Sequence, residues 1–314
     1  MKVLITGGTG MVGSHLADLL LEKGYDVHII VRPTATPNTR NIAHILDRVT
    51  LHYGDLCDYA SLITIIRKVQ PDEVYNMAAQ THAGTSFKVP LYTHDVTSMG
   101  VLRLLEIIRT EKPNTKFWQA STSESLDKTA PLPWNEDTPQ IKISNPYGIS
   151  KADARRWVEF YREVYGIFAV NGIMFNNESP RRGEEFVTRK ISLAAARIKK
   201  GLQSELLLGN IEAKRDWGYS PNYALAAWMM LQNKEPKDYV IATGESHTVR
   251  EWMEECFKHV GLNAYDYYKE DERFMRPSDI PDIIGDTTRI KNDLGWEPTK
   301  RFHELTKIMV EADL

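Results

Sequence analysis

The sequence predicts an α/β fold: a doubly wound parallel sheet with helices on both faces, followed by a smaller α/β C-terminal part. Three observations predict it. Short apolar runs alternate with amphipathic helical stretches through the first half of the chain. A Gly-x-x-Gly-x-x-Gly turn joins the first apolar run to the first helical stretch. A long helical stretch and one more apolar run open the second half, which then becomes irregular.

Each element follows from its pattern. Lys2–Thr6 (KVLIT) reads as a buried strand, and residues 11–23 place Val12, Leu16, Leu19 and Leu20 on one helical face until Gly24 stops it. Asp26–Val31 (DVHIIV) is the next strand. Residues 49–52, 73–76 and 116–120 (KFWQA) continue the series, separated by helical patterns at 59–69 and 92–109. A helix at 151–165 and a strand at 169–175 come next, then helices near 187–200, 223–231 and 249–260. The stretch 33–39 (PTATPNT) is a loop too short to link domains. The expected boundary lies near residue 170, giving parts 1–170 and 171–314, with later segments crossing back to the first part.

The 314 residues carry a net charge of −3, so no whole-molecule field favours nucleic acid or an anionic membrane. An anionic ligand must be held by a local cluster of cations. Cys57 and Cys256 lie far apart, and the nine histidines form no HExxH or HxxxH pair, so no disulfide framework or metal site is expected. The apolar run after Met1-Lys2 is too short for a signal peptide or a membrane span, which implies a reducing, cytoplasmic compartment.

The turn Gly7-Gly8-Thr9-Gly10-Met11-Val12-Gly13 follows a strand and opens a helix. Glycines there let the backbone approach a pyrophosphate, and the helix N-terminus offers N–H groups and a positive dipole end. This is the dinucleotide-binding signature of a Rossmann-type sheet. The second strand ends at Val31-Arg32 with no acidic residue following, so Arg32 is placed to pair with a 2′-phosphate, which favours NADP over NAD. A solvated surface arginine is the alternative. Ala78, Ala79 and Gln80 end the fourth strand at the topological switch point, where small residues serve either cofactor approach or plain packing.

Tyr147 and Lys151 form a YxxxK pair, one helical turn apart. An ammonium beside a phenol is expected to lower the phenol pKa and make it a usable base. The pair lies some 25 residues after Ser121-Thr122-Ser123-Glu124, which follows the fifth strand. Spacing and order fit one site.

These three marks resemble those of the extended short-chain dehydrogenases. Further blocks resemble the GDP-mannose 4,6-dehydratases over nearly the whole chain: ASTSE (120–124), NGIMFNNESPRRGEEFVTRK (171–190), LLLGNIEAKRDWG (206–218) and RFMRPSDIPDIIGD (273–286). The resemblance implies an NADP-binding first part and a nucleotide-sugar second part. It gives Thr122 a hydrogen bond to the substrate hydroxyl that Tyr147 deprotonates, and Lys151 a hold on the nicotinamide ribose. It brackets the adenine with Asp55 and Leu56, and adds Tyr92, Asn177 and Arg182 to the cofactor contacts. It assigns Ser86, Asn176, Val187, Lys190, Arg215, Arg276 and Asp279 to the nucleotide sugar. The two arginines face its pyrophosphate, and Asp279 faces the ribose hydroxyls.

A dehydratase needs one group that a plain dehydrogenase does not. Once C4 of the sugar is a ketone, C5–H is acidic, and Glu124 is the expected base that removes it as water leaves C6. A carboxylate capping a helix N-terminus is the other reading of Glu124. The sequence departs from the resembled pattern at Ser125-Leu126-Asp127, at Pro33 after Arg32, at Asn177, and in shorter loops before Val49 and Arg273. Such changes fit a relative acting on another GDP-hexose or on a GDP-heptose. A GDP-4-keto-6-deoxymannose reductase, a 4-epimerase and a silent nucleotide-sugar binding protein complete the alternatives. The resemblance implies a homodimer or homotetramer.

Overall fold

The computed structural model describes residues 1–274 and 282–314. Arg276 and Asp279 lie outside the described residues.

Seven parallel strands form the main sheet: β1 Lys2–Thr6, β2 Asp26–Val31, β3 Thr50–Tyr53, β4 Glu73–Asn76, β5 Lys116–Thr122, β6 Ala169–Met174 and β7 Tyr239–Ile241. They run in the order β7-β6-β5-β4-β1-β2-β3. The order reverses between β1 and β4, so the chain leaves β1 toward one edge and later returns to its other side. A crevice opens at the carboxyl ends of those two strands.

Side chains alternate between two apolar layers, as the pleat requires. Val3 and Ile5 of β1 pack with Leu16 and Leu20 of helix α1 (Met11–Glu22). Leu4 faces the opposite layer, formed by α2 (Tyr59–Val69), α3 (Gly100–Glu111) and α4 (Pro146–Tyr165). The first layer also takes Ala224, Ala227 and Leu231 of α6 (Ser220–Gln232). One helix and one strand from the second half therefore pack onto and extend the first sheet.

A second core lies in the C-terminal part. It joins α5 (Val187–Lys199), α7 (Val249–His259) and α9 (Phe302–Glu311) through Ile191, Trp217, Trp252, Phe302 and Met309. Between α7 and α9 the chain forms the short helix α8 (Thr288–Leu294).

Three elements differ from the sequence expectation. The helix expected at 92–109 is interrupted by a π-helical segment, Asp95–Met99. There Arg103 donates to the backbone carbonyls of Asp95 (3.3 Å) and Leu56 (3.0 Å), which draws the turn open. Strand β5 runs two residues beyond 120, ending at Thr122. Helix α4 starts at Pro146, not residue 151, because the Asn145 side chain caps it by accepting from Gly148 N at 2.8 Å.

Candidate active site

At the switch point three strand ends are tied by side chains. Thr6 donates to Asn76, and Asn76 Nδ2 donates to Gln119 Oε1 at 2.7 Å. Ala78 N then donates to Thr6 Oγ1 at 3.2 Å, drawing the chain after β4 back over the end of β1. These groups are buried, so the network must be fully paired, and it fixes the floor of the crevice.

The glycine turn presses against that floor. Gly7 has φ +66°, and a Cβ there would lie 2.8 Å from Ala78 N. A Cβ on Gly13 would lie 2.3 Å from Gly7 O, so α1 reaches the turn only because residue 13 has no side chain. Gly10 precedes α1 and supplies no side-chain cap, leaving the first-turn N–H groups without a side-chain acceptor among the described residues. Such a cradle fits the pyrophosphate of a dinucleotide. Thr9, Met11 and Val12 are half-buried along it.

The outer cofactor residues flank the cradle. Arg32 is exposed beyond β2, with Nη1 3.5 Å from the Tyr92 hydroxyl. Asp55 accepts from Cys57 N at 2.9 Å, and Leu56 is buried against Gly100. Ala79 is half-buried after β4. Gln80 donates to His82 O at 3.3 Å, while its Oε1 is buried with no hydrogen-bond partner among the described residues. Ser86 is fully buried, its hydroxyl bonded to Ala83 O at 2.6 Å.

Strand β5 and helix α4 bring the catalytic candidates together. Thr122 ends β5 and accepts from Glu124 N at 3.2 Å, which opens a 3₁₀ turn, Ser123–Ser125. Tyr147 and Lys151 lie in the first turns of α4, both buried. Burial pushes the Tyr147 phenol well above its ordinary range. A hydrogen bond with Thr122 opposes the rise, the Glu124 charge adds to it, and Arg182 opposes it. Thr122, Glu124 and Arg182 thus all act on one phenol.

Lys151 does not act as its sequence position suggests. Its Nζ donates to Ala120 O at 2.6 Å and lies 5.9 Å from the centre of the Tyr147 ring. Burial pushes the amine down to about 7, and the expected lowering of the phenol by this lysine is not what the structure shows. Desolvation outweighs the neighbouring charge.

Glu124 follows a different balance. Burial pushes its carboxyl up, but Lys128, Asn145 and Arg215 together pull it below the ordinary value. Lys128 Nζ lies 3.2 Å and Asn145 Nδ2 3.0 Å from the same oxygen, Oε2. The carboxylate is held by side chains and not by helix N–H groups, so the capping reading is not the one its contacts support.

The profile of the family described as GDP-mannose 4,6 dehydratase matches residues 4–309. The chain belongs to that family. GDP-mannose 4,6 dehydratase 1 of Arabidopsis thaliana is 47% identical over 323 residues, spanning 99% of this chain and 89% of that protein. The Homo sapiens GDP-mannose 4,6 dehydratase is 46% identical over 338 residues, spanning 99% and 91%. Among solved structures, the UDP-glucose 4-epimerase of Thermotoga maritima superposes with a TM-score of 0.85 at 26% identity, covering 99% of this chain and 98% of that one. The dTDP-glucose 4,6-dehydratase of Bacillus anthracis gives a TM-score of 0.85 at 24% identity, covering 99% and 96%, and shares the fold.

In this member of the GDP-mannose 4,6 dehydratase family, the ESPRRG segment reaches the site. Asn177 is buried, with its amide bonded to Phe175 O (3.2 Å) and to the Ser220 hydroxyl (3.1 Å). Arg182 Nε lies 3.3 Å from Glu178 Oε2, and its guanidinium lies over the Phe186 ring at 3.5 Å. Arg215 is buried in the short strand Lys214–Arg215 and acts electrostatically on both Glu124 and Lys128. Farther out, Asn176 O accepts from Tyr223 at 3.3 Å, and Val187 opens α5. Lys190 Nζ bonds Leu207 O at 2.6 Å and lies 3.4 Å over the Phe274 ring.

Sequence reasoning missed three residues here. Lys128 and Asn145 hold Glu124, and Glu178 sits fully buried behind Arg182. The Asn145-Pro146 pair was a readable helix start, but no sequence signal links it to Glu124.

The buried ammonium of Lys151 costs folding stability. Its folded pKa lies below the unfolded value, so the cost is full below pH 7 and fades as pH rises from 7 toward 10.5. Lys151→Met is therefore expected to melt higher than the parent at pH 6, with the advantage shrinking through that window, while catalysis is lost. Ala120 O keeps the Gln119 amide as a partner at 2.9 Å. Thermal melts across pH 6–10 check this; a variant less stable at pH 6 refutes it.

Proposed function

We propose that this chain is a nucleotide-sugar 4,6-dehydratase that converts GDP-mannose to GDP-4-keto-6-deoxymannose with NADP as its resident cofactor. The observation that carries this reading is the buried convergence of Thr122, Tyr147 and an ionised Glu124, faced by Arg182 and Arg215. Near-full-length similarity to proteins named GDP-mannose 4,6-dehydratases supports the substrate.

A nicotinamide dinucleotide held with its pyrophosphate on the Gly7–Gly13 turn would supply a reversible hydride acceptor for the C4 and C6 positions of the sugar. Tyr147 takes the C4 hydroxyl proton; the Thr122 hydrogen bond and the Arg182 charge both favour its phenolate. With C4 a ketone, the Glu124 carboxylate removes the C5 proton. It then gives that proton to the C6 hydroxyl, which leaves as water. C5 regains a proton as C6 is reduced, and Tyr147 gives up the proton it took at C4 in exchange, so the protons balance and the phenol is ready for the next substrate. Arg215 is suited to the diphosphate, because a guanidinium can make paired bonds to phosphate oxygens. Arg276 and Asp279 are assigned to the diphosphate and the ribose by resemblance alone. Residues 1–170 hold the cofactor in this reading, and residues 171–314 the nucleotide sugar.

NADP is favoured by Arg32 at the end of β2, beside Tyr92. A homo-oligomer is favoured by an apolar strip on α4, where Phe160, Val164 and Tyr165 are 41%, 58% and 47% exposed. A cytoplasmic setting is favoured by two free cysteines, one of them buried. No helix among the described residues is long and apolar enough to cross a membrane.

With GDP-mannose and sub-stoichiometric NADP, a 4-keto-6-deoxy product should form in excess of the cofactor. Glu124→Gln should lower turnover ~10²–10⁴-fold while GDP binding persists. Stoichiometric NADPH use would mark a reductase, and a product that keeps the C6 hydroxyl an epimerase. Arg32→Ala should raise KM for NADP about 10–100-fold with little change for NAD; equal effects on both would remove the 2′-phosphate role. Sedimentation should show a species heavier than the 35.9 kDa chain, and Phe160→Glu with Val164→Glu should yield monomers. A monomeric parent overturns the oligomer reading.

A further inference from the structure

Asn145 touches both halves of the catalytic machinery. Its Oδ1 accepts from Gly148 N at 2.8 Å, capping the helix that carries Tyr147 and Lys151. Its Nδ2 donates to Glu124 Oε2 at 3.0 Å. The amide orientation follows from chemistry: turned over, it would set a carbonyl against a carboxylate and an NH₂ against an N–H. The side chain is buried, with the residue 8% exposed, so neither bond is exchanged freely with water.

The surrounding contacts give this bridge its consequence. Lys128 Nζ lies 3.2 Å from the same Oε2, is 9% exposed, and also bonds Ser123 O at 3.3 Å. Oε2 is thus gripped from two sides. Among the described residues no hydrogen-bond donor sits on Oε1. A Cβ at Gly148 would lie 2.4 Å from Glu124 O, so the helix start and the Glu124 backbone are already in contact. Asn145 thus ties the carboxylate to the helix start by two hydrogen bonds.

We propose that Asn145 is a positioning residue for the elimination step: by holding Oε2 against the start of the tyrosine helix, it presents Oε1 to the sugar C5 proton in register with Tyr147. This rests on the dehydratase reading. It adds a division of labour within Glu124, with one oxygen anchored and the other reacting. The charged and titratable groups facing that carboxyl are Lys128, Arg215 and Tyr147.

Asn145→Ser tests it, because serine still caps a helix but cannot supply the Nδ2 donor. The expected result is kcat lowered about 10–100-fold with KM for GDP-mannose unchanged. Reduced nicotinamide should accumulate during turnover, since C4 oxidation proceeds and elimination lags. Asn145→Asp also keeps the cap but puts a second negative charge beside Oε2, and should be slower still. Carbon-13 titration of glutamate-labelled protein, with Glu124→Gln assigning the signal, should show the Glu124 midpoint moving to higher pH in both variants. Wild-type kcat with an unmoved midpoint in Asn145→Ser overturns the proposal. So does an equal loss in the C4 oxidation step with no accumulation, which would mark a disturbed helix. A parent protein that eliminates no water sinks the dehydratase reading instead, and the titration alone then decides whether Asn145 sets the carboxylate.

Discussion

The site depends on one close contact: the first turn of the helix Pro146–Tyr165 rests on the backbone of Glu124. No side chain fits at Gly148, where a Cβ would fall 2.4 Å from the Glu124 carbonyl oxygen. That approach sets the spacing between the end of β5 and the helix start. Tyr147 and Lys151 are carried inward with it, and Lys151 reaches the Ala120 carbonyl at 2.6 Å. Thr122 ends the same strand and meets the phenol. A strand end and a helix start, far apart in sequence, become one rigid constellation.

Burial then sets the electrostatics. It pushes the Tyr147 phenol up and the Lys151 amine down, disfavouring the charged form of each. Glu124 escapes this because it has cationic and amide partners on one oxygen. Glu178 and Arg182 form a second buried pair nearby, but there burial outweighs the arginine and pushes the Glu178 carboxyl up. Removing one member of such a pair leaves a charge with no water and no partner. The charged residues of this site are therefore best understood as pairs.

The same scaffold serves other chemistry. An epimerase shares the backbone over nearly its full length, so the fold alone says little about the reaction. The chemistry of this site is carried by the carboxylate after β5, the cations around it, and the segment from Asn176 to Arg182. The C-terminal part contributes Arg215 and the segment from Asn176 to Arg182, supported by its own core and by the helix and strand it returns to the first sheet.

Much of this was legible in the chain. The strands near the N-terminus follow from alternating apolar runs, because a parallel strand is buried on both faces. The glycine turn follows from the need for backbone approach, and Thr122, Glu124, Tyr147 and Lys151 from their order after β5. Local patterns carry such information because strand and helix periodicities are local. What only the tertiary structure decided is which neighbours surround each charge. Lys128 is four residues from Glu124 but reaches it through a 3₁₀ turn, and Asn145 reads as a helix cap until its other amide atom meets the carboxylate. The direction of the Tyr147 shift is decided in the same way. Proximity of a lysine in sequence suggested a lowered phenol, whereas burial by the whole fold raised it. Desolvation is a sum over everything packed around a group, and no short stretch of sequence contains that sum.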